Sequence, residues 1–264
     1  MVTGVTTHTE RTARSVKSAE RTLRILETLA AAEGPVPVAA LHREAGIPRS
    51  SLHQLVHTMA ASGWVEFAGD GSVAIGSRAL VVGTSYLDRD PALPMAVETL
   101  ESLRESTGYT THYARREQAH VLYLATRETS DSHRATSRVG RRLPAHATAL
   151  GKALLSELSP DELGEALGDA PLEALTDATI TDRQLLGERL EETRRARFAV
   201  EREENTPGVC CVAATNGYRI PATDAISCSI PVSRATDAEL ERVSGLVVAA
   251  ADALGSRLRA AGVR

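Results

Sequence analysis

The sequence predicts an α+β protein in two domains, a small helical N-terminal domain with one β-hairpin and a larger mixed C-terminal domain. Three observations carry this. Two short amphipathic stretches meet at Gly46-Ile47-Pro48, and two strand-like runs, Trp64–Phe67 and Ser72–Ile75, flank the turn Gly69-Asp70-Gly71. From Tyr109 onward, strand-like and helix-like segments alternate without internal repeat. The chain has 264 residues, 42% of them hydrophobic and 24% charged, which is enough to bury a sizeable core. Aromatic residues make up 3%, so Leu, Val, Ile and Ala must build that core.

Residues 1–15 are Thr-rich and charged and are expected to form a disordered arm. The spacing predicts a first helix over Ala19–Ala31, capped by Ser18, with Leu23, Ile25, Leu26 and Leu29 apolar. Gly34-Pro35 ends it. Val38, Leu41 and Ala45 mark a second helix, which Gly46 breaks. Pro48 opens a third, whose apolar stripe is Leu52, Leu55, Val56 and Met59. Arg49, Ser50, Ser51, His53, Gln54 and His57 face away from that stripe, and Gly63 suits a left-handed stop. Three helices and a hairpin over residues 16–76 form a winged helix-turn-helix, and the outward face of its third helix suits a DNA major groove. There Arg49, the serine hydroxyls and the helix N-terminus are expected to hold phosphate and His53 and Gln54 to reach base edges, with His57 also on the DNA-binding face. Gly71 and Ser72 at the wing tip are expected to touch the minor groove or the backbone.

Ser77–Leu87 is a mostly apolar helix, Asp88–Pro94 interrupts it, and a longer helix runs to about Ser106 before Gly108. Residues 77–107 therefore read as a helical linker and dimer contact, because an apolar helical face left over by a small domain pairs with a copy of itself. The rest, residues 108–264, is a hairpin (Tyr109–Arg116, His120–Glu128), a polar Arg-rich loop (Thr129–Arg142) and helices over Pro144–Ser156, Pro160–Leu167 and Asp182–Arg197. Strands over Phe198–Glu201, Val209–Thr215 and Ala225–Val232 and a final helix over Asp237–Arg259 complete it.

Charge and motifs narrow the function. The net charge is −4, and up to Arg78 eight Arg/Lys stand against seven Asp/Glu, so phosphate attraction must come from local placement or from several copies acting together. That balance keeps a second class open, a small-molecule-sensing protein whose helix-turn-helix docks protein. Cys210, Cys211 and Cys228 make no disulfide framework, and Cys211, Cys228, Glu201 and His112 or His146 follow no zinc spacing. Gly151-Lys152 lacks the Ser/Thr and leading glycine of a phosphate loop, and no catalytic serine elbow or zinc-protease motif is present. No secretory leader and no apolar run of bilayer length are found, so a cytoplasmic protein without membrane contact, catalysis or cofactor is expected.

Five separated motifs resemble the IclR-type transcriptional regulators over about Val16 to Leu258: SAERTLRILETLA, GIPRSSLHQLVHTMAASGWVE, RLPAHATALGKALLS, EREENTPGVCCVAA and AISCSIPVSR. The resemblance implies a winged helix-turn-helix followed by a GAF-like effector-binding domain, acting as a dimer or tetramer on double-stranded promoter DNA. It places Ala149, Leu150, Glu201, Cys211, Ser227 and Ser229 against a small-molecule effector, a carboxylate or aromatic acid. Read alone, the helix expected to start just after Pro144 either is a core helix or offers free N–H groups that suit a carboxylate, and Ser227 and Ser229 share one strand face. Three positions depart from the family pattern. Gln54 stands where the family usually carries Arg, which implies a different operator. Glu201 stands where Asp is frequent, which implies a smaller or reshaped cavity, and Thr215–Thr223 lacks the usual short acidic turn.

Overall fold

The computed structural model describes residues 16–129 and 139–263. The expected N-terminal arm and most of the Arg-rich loop after Thr129 lie outside the described residues. The chain divides into two compact units, 1–89 and 90–264.

In the first unit α1 (Lys17–Ala31), α2 (Val38–Glu44) and α3 (Arg49–Ala61) pack around Ile25, Leu41, Ile47, Leu52 and Val56, all at most 2% exposed. Burying each such side chain contributes roughly 1.5–3 kcal/mol. Ser18 is not the cap of α1: the helix starts at Lys17 behind Val16, and the Ser18 carbonyl accepts from the Thr22 hydroxyl inside the helix. Leu23 is likewise exposed rather than core. Gly46 and Gly63 take left-handed φ values of 63° and 75°, ending α2 and α3. After Gly63, the Trp64 amide reaches back to the Met59 carbonyl and β1 (Val65–Phe67) begins. It pairs antiparallel with β2 (Val73–Ile75), Val65 opposite Ile75, and Val36 adds a bridge to Val73. Next, α4 (Ser77–Asp88) has no buried residue and exposes Leu80, Val81, Val82 and Tyr86.

In the second unit a six-stranded antiparallel sheet has the order β5-β4-β3-β8-β7-β6. Its strands are β3 (Thr110–Glu117), β4 (His120–Arg127), β5 (Arg142–Pro144), β6 (Ala199–Arg202), β7 (Val209–Thr215) and β8 (Asp224–Pro231). One face carries α5 (Leu93–Thr107) and α9 (Asp237–Ala260), with the Thr111 hydroxyl donating to the Leu100 carbonyl at 2.9 Å. Of the stretch read as linker, α5 therefore packs on this sheet. The other face carries α6 (Ala149–Leu155) and α8 (Arg183–Ala196), with α7 (Pro160–Leu167) closed by a Ser159–Glu162 capping box.

The single helix expected over Pro144–Ser156 is corrected. Arg142–Pro144 pairs with β4, Ala145–Ala147 forms a 3₁₀ turn, and α6 starts only after Thr148, whose hydroxyl accepts from the Gly151 amide at 3.0 Å. Gly151 is forced by space, since a Cβ there would lie 2.1 Å from the Ala145 carbonyl oxygen.

Candidate functional site

Two places carry chemistry, one in each unit. In the first, α3 presents Arg49, Ser50, His53, Gln54 and His57 exposed, opposite the buried Leu52, Val56 and Met59. Pro48 precedes the helix and no side chain caps it, so its first-turn amides stay available to an anion. Ser51 does not face freely outward: it is half-buried and accepts from Arg21 of α1 at 3.1 Å. Arg24 reaches the Ala45 carbonyl at 3.3 Å. Together with Arg49, these guanidiniums put local positive charge around the turn and the start of α3, on a chain whose net charge is −4. Arg21 and Arg24 sit on a different helix, and only packing brings them here. In the wing, Gly71 is exposed at the turn with φ of 80°, whereas Ser72 is buried and both its amide and its hydroxyl donate to Asp70. Ser72 thus shapes the wing turn.

The second place is a cavity of about 110 Å³ at one end of the six-stranded sheet. Register builds it: Thr110, Ser229, Cys211 and Glu201 face one another across β3, β8, β7 and β6, and paired residues share a sheet face. His112, two residues on from Thr110, joins the same face. Its Nε2 lies 3.1 Å from the Ser229 hydroxyl and its Nδ1 3.1 Å from the Thr126 hydroxyl, while Ser229 also contacts the Cys211 sulfur at 3.2 Å. Tyr123 packs edge-on against His112, and Arg234 stands at the rim, exposed. Burial sets the protonation here. It lowers His112 to about 4, leaving a neutral imidazole at ordinary pH. It raises Glu201 to about 7 against the opposing pull of its hydrogen bonds from Cys211 and the Glu204 amide. It also pushes the Cys211 thiol well above its usual range, so this is not an activated nucleophile.

Of the residues expected to meet an effector, the fold brings Glu201, Cys211 and Ser229 to the cavity wall. Ala149 and Leu150 are 1% and 2% exposed in the core beneath it and do not line it. Ser227 is buried on the same strand face, further in, and is not in the wall either. The free helix end expected just after Pro144 is absent: Ala145–Ala147 forms a 3₁₀ turn, and where the α-helix starts, at Ala149, Thr148 caps the Gly151 amide within the core. The departing segment Thr215–Thr223 sits at the opposite end of β7 and β8 and leaves the cavity wall untouched.

Tyr123 is an addition, and His112, which the sequence offers only as a metal candidate, joins the wall through the register of strands whose partners lie far along the chain. Lys152 is another addition. It is fully buried and ion-paired with Glu204, whose amide donates to Glu201 at 2.9 Å. A lysine inside an apolar helix was the available signal for such a partner. Among the described residues no group of His, Cys, Asp and Glu is arranged to hold a metal ion, and no helix is long and apolar enough to cross a membrane.

A wing and an exposed third helix in one unit, with a polar cavity in the sheet of the other, define a two-domain helix-turn-helix regulator of transcription. The chain belongs to the IclR family: residues 18–69 match the IclR helix-turn-helix domain and residues 84–256 match the bacterial transcriptional regulator IclR C-terminal domain. It is 34% identical over 241 residues to the transcriptional repressor IclR of Escherichia coli, covering 89% of this chain and 88% of that one. The acetate operon repressor of Salmonella typhimurium is 33% identical, covering 89% and 88%. An IclR homologue from Microbacterium hydrocarbonoxydans, solved with 4-hydroxybenzoate, superposes with a TM-score of 0.76 at 26% identity, covering 92% of this chain and 99% of that one.

Proposed function

We propose that this chain binds promoter DNA through α3 and its wing, and that a small carboxylic acid in the C-terminal cavity alters that binding. The observation that carries the reading is the exposed polar face of α3, with uncapped amides and Arg49 at its start, standing beside a wing whose glycine tip is open. The cavity supports an acid because it offers hydroxyls, a neutral His112, a Glu201 that binds a proton near neutrality and the Arg234 guanidinium at the rim. A homologue solved with 4-hydroxybenzoate points to the same ligand class.

The chain acts as a dimer or higher assembly in the cytoplasm and carries out no catalysis in this reading. Leu80, Val81, Val82 and Tyr86 of α4 supply the apolar face for self-association. Two copies would then grip half-sites about 10 base pairs apart.

The test is selection of duplexes from a randomised library, followed by binding at two salt concentrations. Affinity should fall steeply with salt, and Arg49→Ala should weaken binding on every selected sequence by about the worth of one phosphate contact. Salt-insensitive association with protein rather than DNA would replace this reading with the docking module.

A further inference from the structure

His53 and His57 lie one turn apart on α3 and touch. Their Nε2 atoms are 3.2 Å apart and their ring centroids 4.3 Å. On its other side the His57 ring leans on Phe67 of β1, at 5.2 Å between centroids. His57 is thus held between helix and wing, and its Nε2 fixes the ring of His53.

A hydrogen bond between two ring nitrogens needs one N–H and one lone pair. In the neutral pair, one of the two remaining Nδ1 atoms is therefore a donor and the other an acceptor. A single added proton goes to the acceptor Nδ1, keeps the Nε2 contact intact and makes both Nδ1 atoms donors. A second proton would set two N–H groups against each other and break the contact. The pair is built to take one proton.

The charged groups around it do not already satisfy that charge. Arg49 precedes His53 by one turn on the same helix, and Arg21 of α1 is bonded to Ser51. On the wing, Glu66 alternates with Phe67 and so points to the other face of the ribbon, while Asp70 is committed to Ser72. Among the described residues His53 and His57 contact each other and Phe67 and no carboxylate, so DNA is the counter-charge available to them.

We propose that His53 and His57 read DNA as one proton-sharing unit. Duplex binding draws one proton onto the pair, and both Nδ1 atoms then donate to acceptor atoms of the DNA, the guanine O6/N7 edge or phosphate oxygens. His57 acts here as a positioning residue for His53 as well as a proton carrier. The proposal rests on α3 being the recognition helix.

The experiment uses the full chain and a library-selected duplex, with affinity measured by fluorescence anisotropy from about pH 6 to about pH 8 at constant ionic strength. Affinity should fall as pH rises, approaching about tenfold per pH unit at the upper end, the slope of one linked proton. His57→Gln and His53→Gln should each flatten that slope. Replacing guanine by 7-deazaguanine assigns the acceptor: loss of affinity points to the base edge, unchanged affinity to phosphate, and both support the proposal. A flat wild-type profile, or the same slope in wild type and His57→Gln, overturns it. If Arg49→Ala still weakens binding in that case, the recognition-helix reading stands without the proton. If no duplex is selected at all, both fall.

Discussion

Replacing Glu201 with glutamine should change how the C-terminal unit responds to acid. Buried His112 is lowered to about 4 from 6.5, and buried Glu201 is raised to about 7 from 4.5. Between pH 4.5 and 6.5 the unfolded chain accepts a proton at His112 that the folded chain refuses, so this group's contribution, complete above 6.5, is lost as pH falls. Over the same window the folded chain keeps a proton at Glu201 that the unfolded chain releases, so that contribution, complete below 4.5, is lost as pH rises. In the wild type the two slopes oppose and largely cancel. Glu201→Gln leaves the His112 slope alone. Two pH units at about 1.4 kcal/mol each make the variant lose about 3 kcal/mol between the neutral and the acid end, a loss the wild type does not show, with the two proteins closest at the acid end. For a unit of this size that is a Tm difference of roughly 6–12 °C. Thermal unfolding followed by circular dichroism at several pH values across the window, with wild type subtracted, reads it directly. His112→Asn should tilt the profile the other way. Superimposable profiles for wild type and Glu201→Gln would refute the assignment of opposed protonation states to these two groups.

Three further outcomes follow from packing. Glu204→Gln strands the buried Lys152 ammonium and should cost about 3–5 kcal/mol in denaturant unfolding, most of it recovered in Lys152→Met/Glu204→Leu, where no buried charge remains. Gly151→Ala places a Cβ 2.1 Å from the Ala145 carbonyl oxygen and should cost about 1–3 kcal/mol, read as a lower Tm. Leu80→Glu with Val81→Glu on exposed α4 should leave the fold intact and shift sedimentation toward the monomer.

Local signals made much of the fold legible. Pro160–Leu167 and Val209–Thr215 end where the spacing of apolar residues and the caps say they should. The glycines at 46 and 63 marked both ends of the turn and third helix, because only a left-handed residue closes them this way. Signals failed where a distant partner decided the outcome. The Ala-rich run after Leu143 has helical propensity, yet Pro144 pairs with β4, Ala145–Ala147 takes a 3₁₀ turn, and the α-helix starts only after Thr148. Part of the cavity was readable from sequence: Glu201, Cys211 and Ser229 lie on its wall. His112 joins them only through the register of β3 on β8, and Lys152 meets Glu204 across 52 residues. Arg21 reaches the third helix across 30 residues, which no periodicity along α1 announces.

The most direct test of the account is the affinity of the full chain for a selected duplex, measured with and without a panel of small monocarboxylic acids, alongside calorimetric binding of each acid. The account predicts that an acid bound in the cavity changes duplex affinity by about 5- to 150-fold, that the duplex changes acid affinity by the same factor, and that Ser229→Phe abolishes both effects. An acid that binds in the cavity while duplex affinity stays the same would contradict it.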